Sequence, residues 1–499
     1  MVYSPGFIAQ CEQEKLHLSG AIQPHGVLLV CDRQGLVSHV SANVADWLGE
    51  NATPAFLLGQ ALPHFLHEVD ASAASLNRGE RYVGQCHLAE QEFDVVVSDN
   101  GEQRLFELYP VTAHARPLMA PVTSQPLPED KAELAKQCEQ LLQTLQEMSG
   151  FDRVLYYRFL PEGDGEVTAE VGREAGMGCY LGLRFPASDI PQIARELYLQ
   201  NPWRTIPHGK AEPVAIVSRE EGAVPNLSWV DLRSASPIHV EYMTNMGVSA
   251  AVSLPIVLGG ELDALISCHA ATPRQLTVSQ LSAMHAEVNA FNLRLRDYKA
   301  RRRLQVFDGL QHRFGQAQAV MMRHGSLEAA WPELSQWLLY TFQADGAVLT
   351  IGDTHYTQGS VLSMEALAAL KAQVGQDDRS VWISEQLAHD CPGLPLTAVA
   401  GVAVVRDLAL DPHHTAELYL CREETLYQVT WGGSPDKPVD YRQDGRGIAP
   451  RRSFEAWVEQ RFGHSRPWSP SARLYLLKLR ALLQKAKTLP EEKTASGSR

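Results

Sequence analysis

Between Pro273 and Pro332 the chain carries no proline, and Leu281, Met284, Val288, Phe291, Leu295 and Tyr298 follow one another at alternating intervals of three and four residues. Apolar residues at that spacing form the seam of a heptad repeat. The pattern predicts one long helix over about 274–325, a spine that links two domains and pairs with a second copy in a homodimer. The basic run Lys299-Ala-Arg-Arg-Arg303 falls within it and reads as a solvated helix face. Nucleic acid is not the expected partner. The net charge of -14 opposes it, because binding needs a basic face that displaces counterions. A chain of 499 residues suggests about three domains.

Hydrophobic residues make up 45% of the chain and charged residues 20%, the balance of a soluble globular protein. Eight cysteines are scattered along it with no C-x-x-C pair, so neither a zinc ribbon nor a disulfide scaffold is indicated. Free thiols fit a reducing cytoplasm. No signal peptide is present, and no uncharged apolar stretch is long enough to span a bilayer. The expectation is a cytoplasmic protein without a membrane partner.

The first residues form a polar arm that carries Cys11 between Gln10 and Glu12. Val27–Val30, the turn Asp32-Arg-Gln-Gly35 and Leu36–Val40 read as a hairpin, Ala42–Leu48 as a short helix, and a mixed stretch runs on to Val111. That order resembles a PAS domain. Ala113–Pro128 is a proline-rich linker. Glu129–Ser149 has helical periodicity, and Phe151–Phe159 and Glu166–Val171 are strands. The glycine-rich loop Gly172–Gly182 lacks the order of a phosphate cradle. Val248–Leu258, Gly259-Gly260 and Leu262–Cys268 form a strand, a two-glycine turn and a strand. This second block, about 130–300, resembles a GAF domain. A third α/β block follows from about 320 to 490, with strands near Ala347–Ile351, Gly401–Val405, Ala416–Cys421 and Leu426–Val429. Within it, Trp431–Trp468 has turn residues and arginines in place of a clean period, as expected of an arm that leaves its own domain. Leu474–Lys485 is a final helix.

The run Arg184-Phe-Pro-Ala-Ser-Asp-Ile-Pro191 is a stiffened turn, because Pro186 and Pro191 restrict the backbone on both sides of Asp189. Gln192–Leu199 reads as a helix with Ser188 or Asp189 as its N-cap. The middle block also holds His239 and Tyr242 at a helix start, His269 at a strand end, and Arg204 and Arg233, whose guanidinium forks suit carboxylates. Two histidines, two arginines and several tyrosines on an apolar scaffold suggest a pocket for an anionic aromatic ligand.

Several motifs together resemble the bacteriophytochrome signature: Cys11, Ile22-Gln-Pro-His-Gly26, Phe185-Pro-Ala-Ser-Asp-Ile-Pro191, Arg233-Ser-Ala-Ser-Pro-Ile-His239, Asn245-Met-Gly-Val248 and Ser267-Cys-His269. Trp431-Gly-Gly433 and Pro450-Arg-Arg-Ser-Phe454 resemble the two arms of the phytochrome tongue. The resemblance covers nearly the whole chain. It implies three sensor domains of α/β (α+β) class with central antiparallel sheets: PAS at 1–118, GAF at 130–300 and PHY at 301–490 with a tongue at about 430–468, ahead of a flexible tail at 491–499. It further implies biliverdin, a linear tetrapyrrole, attached through Cys11, since Ile238 stands where plant and cyanobacterial relatives carry their attachment cysteine.

By the same resemblance, Asp189 accepts pyrrole N–H groups through its carbonyl, with Ile190, Pro191 and His239 nearby. His269 bonds the ring D carbonyl, and Tyr157, Phe185 and Tyr242 wall that ring. Arg204, Arg233, Tyr198, Ser236 and Ser253 match propionate-binding positions. Arg451 pairs with Asp189, and Ser453 and Trp431 join the relay. The implied function is reversible red/far-red photoreception by ring D isomerisation, passed through tongue refolding to an output module. No kinase or cyclase motif occurs in the sequence, so no enzymatic activity is expected of it. Departures from the family pattern fall at Asp263, Ala251 and Ala270, and the segment between Arg204 and Arg233 is short. A competing reading is a light-independent GAF/PAS sensor for a cyclic nucleotide or haem, which leaves Cys11 and the tongue-like arms unexplained.

Overall fold

The structure is a computed structural model that describes residues 14–88, 90–111, 125–172, 178–375, 379–395, 398–409, 415–435, 452–469 and 471–485. The chain divides into two compact units: Met1–Lys299 with Thr430–Trp457, and Ala300–Val429 with Val458–Arg499. The excursion anticipated for the arm after Trp431 therefore appears as a stretch that groups with the first unit.

The first unit contains two sheets. One is antiparallel, in the order Ala21–Ile22, Val214–Ser218, Val37–Ser41, Val27–Cys31, Arg104–Pro110, Gln91–Asp99, Arg81–Leu88. Its central strand Val27–Cys31 is buried on both faces. Side chains alternate across a strand, so Val27, Leu29 and Cys31 enter one core and Leu28 and Val30 another. Val214–Ser218 comes from the segment between Arg204 and Arg233. It pairs with Val37–Ser41 on one side and Ala21–Ile22 on the other, so this segment is built into the N-terminal sheet.

The second sheet runs Arg204–Ile206, Ala250–Leu258, Glu261–Ala270, Arg153–Phe159, Gly165–Val171, Arg184–Phe185. Trp431 adds a one-residue parallel bridge to Arg184. Helix Lys131–Ser149 starts where the Asp130 carboxylate accepts the Glu133 N–H and stops at left-handed Gly150. Its Leu141, Leu142 and Leu145 pack with Ile266, Cys268, Val252 and Leu254 in one core. The alternation then leaves Leu265, Ser267, His269, Ala251 and Ser253 on the opposite face, where a cavity lies.

The long helix spans Val278–His324. Its extent agrees with the expected 274–325, and one expectation about its seam is corrected. Its seam residues Leu281, Met284, Val288, Phe291 and Leu295 are at most 4% exposed and pack into the core of the first unit, so they are not open to a partner helix. A heptad pattern reports one apolar face, and here a sheet and a neighbouring helix cover it. The helix ends at His324, where the sequence pattern placed its end. Gly325, at φ +73°, ends it by taking a backbone conformation that other residues adopt at a cost. Ser326 then caps a new helix, Leu327–Phe342, accepting the Ala329 N–H, and Pro332 lies inside that helix.

The second unit is built on the antiparallel order Thr354–Gly359, Gly346–Ile351, Thr415–Glu423, Val399–Ala409, Val381–Ser384. Leu327–Phe342 and Ala472–Lys485 contribute to the core on one face, and Met364–Val374 to the core on the other. Buried Arg422 gives its donors to the carbonyls of Phe342, Arg466 and Pro467 beneath the Trp468 ring.

Candidate functional site

The cavity on the second sheet of the first unit has a volume of about 240 Å³. The turn anticipated from the sequence forms part of its wall. Arg184–Phe185 pairs with Gly165 and Glu166, Ala187–Asp189 makes a single 3-10 turn, and Ile190 takes the non-helical φ -130°, ψ 87° that a following proline favours. The capping expectation is corrected: the N-cap of Gln192–Tyr198 is Pro191, with no side-chain bond. Ser188 and Asp189 lie too early in the chain, inside the preceding turn.

Arg195, which the sequence reading did not single out, clamps this turn. Its Nε donates to the Ile190 carbonyl at 2.7 Å and its Nη2 to those of Gly163 and Ala187 at 2.5 and 3.3 Å. The guanidinium lies over the Phe159 ring, while the Asp164 carboxylate accepts the Ala187 N–H. The only hint in the sequence was an arginine on the helix directly after the turn, a common surface residue. The Asp189 carboxylate accepts the Tyr242 hydroxyl at 3.2 Å.

Pro237–Asn245 is a helix with Pro237 in its first turn. Its His239 ring stacks on Tyr242 at an interplanar angle of 12° and opens onto the cavity, so it stays solvent-accessible although surrounded by protein. Burial, helped by Arg204, holds its pKa down to about 4. His269 also lines the cavity; burial, then Arg153 and His239, hold it well below the ordinary histidine value. Both rings are therefore neutral. Tyr157, Phe185, Ile190, Pro191, Tyr198, Ser236 and Ser253 line the same space. Ser253 lies directly opposite Arg204 in the sheet, and Ser236 donates to Glu14 at 2.9 Å.

Arg204 and Arg233 border the cavity too, but their hydrogen bonds go to backbone carbonyls, and Arg204 has the Asp231 carboxylate 4.0 Å away. Arg204 donates to the carbonyls of Asp231 and Arg233, and Arg233 to that of Leu227. Gln23 reaches across to the carbonyls of Thr205, Asp231 and Arg233. Burial and the neighbouring Arg204 pull the Arg233 pKa down to about 9, so an anion here would favour its charged form.

Cys11 and Arg451 lie outside the described residues. Trp431 is fully buried, whereas Ser453 is exposed. Phe454 enters the aromatic cluster, with ring centroids 5.2 Å from Tyr242 and 6.2 Å from Tyr180. Gly432 passes so close to Phe185 that a Cβ would stand 2.6 Å from its ring, which leaves room for glycine alone. Of the departures, Asp263 accepts Lys299 of the long helix at 2.6 Å, Ala270 is fully buried in the core, and Ala251 lines the cavity. Among the described residues no cluster could hold a metal ion, and no helix is long and apolar enough to cross a membrane.

Two α/β sheets, an aromatic cavity on the second, an arm that reaches its rim and a further α/β unit define a phytochrome photosensory core. Residues 11–109 match the PAS fold family, 133–293 the GAF domain and 313–488 the phytochrome region. The chain is 31% identical to a bacteriophytochrome of Pseudomonas aeruginosa over 96% of its length and 66% of the relative's. It is 30% identical to one of Xanthomonas campestris over 95% of its length and 78% of the relative's. The crystal structure of a bacteriophytochrome from R. palustris matches with a TM-score of 0.78 at 27% identity, covering 96% of this chain and 99% of that one. The Stigmatella aurantiaca phytochrome photosensory core matches with a TM-score of 0.77 at 29% identity, covering 95% and 97%. The chain belongs to the bacteriophytochrome family.

Proposed function

We propose that this chain is the sensing part of a red/far-red light receptor that holds biliverdin covalently through Cys11. The observation that carries the reading is the cavity itself: apolar aromatic walls, two neutral histidines and two arginines around a clamped turn. The donor set fits a linear tetrapyrrole with two carboxylates. His239 is surrounded by protein and neutral, its ring nitrogens make no hydrogen bond among the described residues, and Arg204 and Arg233 border the same space.

When bound, the tetrapyrrole supplies a red-absorbing conjugated system and a double bond that light isomerises. The chain's residues bind and read it. The Asp189 carbonyl, flanked by Ile190 and Pro191, accepts its N–H groups, with His239 beside them. Arg204, Arg233, Tyr198, Ser236 and Ser253 hold its carboxylates. Tyr157, Phe185 and Tyr242 wall its last ring, and His269 donates to that ring's carbonyl.

The Asp189 carboxylate is the relay, shared between Tyr242 on the pocket side and Arg451 on the arm, with Trp431 and Ser453 in the same arm. A change of partner at Asp189 refolds the tongue and biases the long helix, a two-state element. The domains take the limits 1–118, 130–300 and 301–490. The receptor acts as a cytoplasmic homodimer joined along a face of the long helix other than its buried seam, and passes its signal to an output module or a separate partner, without enzymatic activity of its own in these residues.

The test is an absorbance spectrum after adding biliverdin, before and after red illumination, with Cys11→Ser alongside. The expected result is a red band that shifts reversibly to far-red, and pigment that survives denaturation only when Cys11 is present. No pigment uptake and no light response would return the chain to a small-molecule GAF sensor.

A further inference from the structure

Arg153 opens one strand of the cavity sheet and His269 lies near the end of its neighbour. The antiparallel register sets the two directly opposite each other. Side chains so placed have Cβ atoms about 5 Å apart, and here they meet. Arg153 is fully buried, and its Nη2 lies 3.2 Å from Nδ1 of His269. Its guanidinium carbon sits 4.1 Å from the centroid of Tyr180, and Nη1 donates to the Gly178 carbonyl at 3.4 Å. The group is thus oriented by a ring on its face and a carbonyl at its edge.

A guanidinium has donors only and keeps its proton in proteins. The nitrogen facing it must accept, so Nδ1 of His269 carries no proton. His269 is neutral in this surrounding. A neutral imidazole that accepts at Nδ1 bears its hydrogen on Nε2. We propose that Arg153 is a positioning residue that sets the tautomer of His269, so that this histidine offers the cavity a hydrogen-bond donor and not an acceptor. The inference deepens the proposed function and rests on it for what the donor serves. An Nε2–H welcomes a carbonyl oxygen and leaves a ligand N–H at that place without an acceptor.

The tautomer is measurable on the full chain without pigment. Isotope-labelled histidine nitrogens report it by NMR, with His269 assigned from the signals lost in His269→Gln. Wild type is expected to show a protonated Nε2 and a bare Nδ1 near neutral pH. Arg153→Met keeps the apolar stem and removes every donor. The preference for Nε2–H should then fall by roughly ten-fold or more, the weight of a charge-assisted hydrogen bond, and the other tautomer should become visible. Arg153→Lys, which restores a donor, should recover part of the preference.

A wild-type His269 protonated at Nδ1, or at both nitrogens, overturns the proposal, as does an unchanged tautomer in Arg153→Met. If Arg153→Met does not fold, the wild-type spectrum still decides whether Nδ1 accepts, and Arg153→Lys must keep that state. Biliverdin added in a separate arm distinguishes the two readings. No red band with the expected tautomer would sink the photoreceptor reading and leave this one standing. Pigment uptake with the wrong tautomer would do the reverse.

Discussion

Asp189 sits on a turn held from several sides. Arg195 gathers the carbonyls of Gly163, Ala187 and Ile190, and the Asp189 carboxylate accepts the Tyr242 hydroxyl. Because the backbone is fixed by Arg195 and two prolines, Asp189→Ala should leave pigment uptake intact and abolish photoconversion; unchanged photocycling would remove Asp189 from the relay. Glu107 makes a different residue-scale prediction. It is fully buried, accepts the Leu232 N–H and the Tyr109 hydroxyl, and burial pushes its pKa up to about 7. A raised carboxyl binds its proton more tightly in the folded state, so the stability it confers is full below about 4.5 and is lost as pH rises to about 7. The loss is about 3 kcal/mol at most. Half-buried His25, held near 4, works the opposite way, losing stability as pH falls below about 6.5. The difference between wild type and Glu107→Gln isolates the acid. Thermal unfolding from pH ~5 to ~8 should show the variant gaining on wild type as pH rises, and parallel curves would show that burial of Glu107 costs nothing.

At the scale of elements, the long helix turns on which of its faces is covered. Phe291 is 1% exposed and meets Tyr156 edge-on at 6.3 Å, whereas Leu293 is 61% exposed. Phe291→Ala should therefore cost about 3–5 kcal/mol of folding stability, and Leu293→Ala about 0.5 or less. Urea unfolding measures both. Equal small effects, with Phe291→Ala changing only self-association, would restore the seam to a partner helix. The inward seam also explains the Asp263–Lys299 pair. With the helix packed on the sheet, a strand residue at its border can meet a helix residue.

Across the whole molecule, the arm Thr430–Trp457 belongs with the first unit. It places Trp431 beside Arg184, Gly432 against Phe185 and Phe454 against Tyr180 and Tyr242. The described residues lining the cavity lie between Glu14 and His269, and the five-stranded unit has its own two cores. Replacing the arm by a short glycine-serine join should leave biliverdin uptake and the fold of both units intact. Photoconversion should become incomplete, as read from absorbance under red light. Loss of pigment binding itself would mean that the arm builds the pocket and does not merely read it.

Short-range rules sufficed for much of this protein. The hairpin over 27–41, the turn at Gly259-Gly260, the stiff turn before Pro191 and the helix after Asp130 follow from backbone restrictions and caps that act over a few residues. The polar set His239, His269, Arg204 and Arg233 was legible as a pocket because such groups are seldom placed among apolar strands without use. Tertiary structure alone decided the rest. An apolar seam specifies burial but not what covers it, so the spine's inward face was invisible. Cross-strand register depends on the fit of whole alternating faces, so the meeting of Arg153 with His269 could not be read from residues so far apart in the chain. The strand Val214–Ser218 joins a sheet formed mainly by the first block, because edge N–H and C=O groups pair with whatever the fold brings beside them.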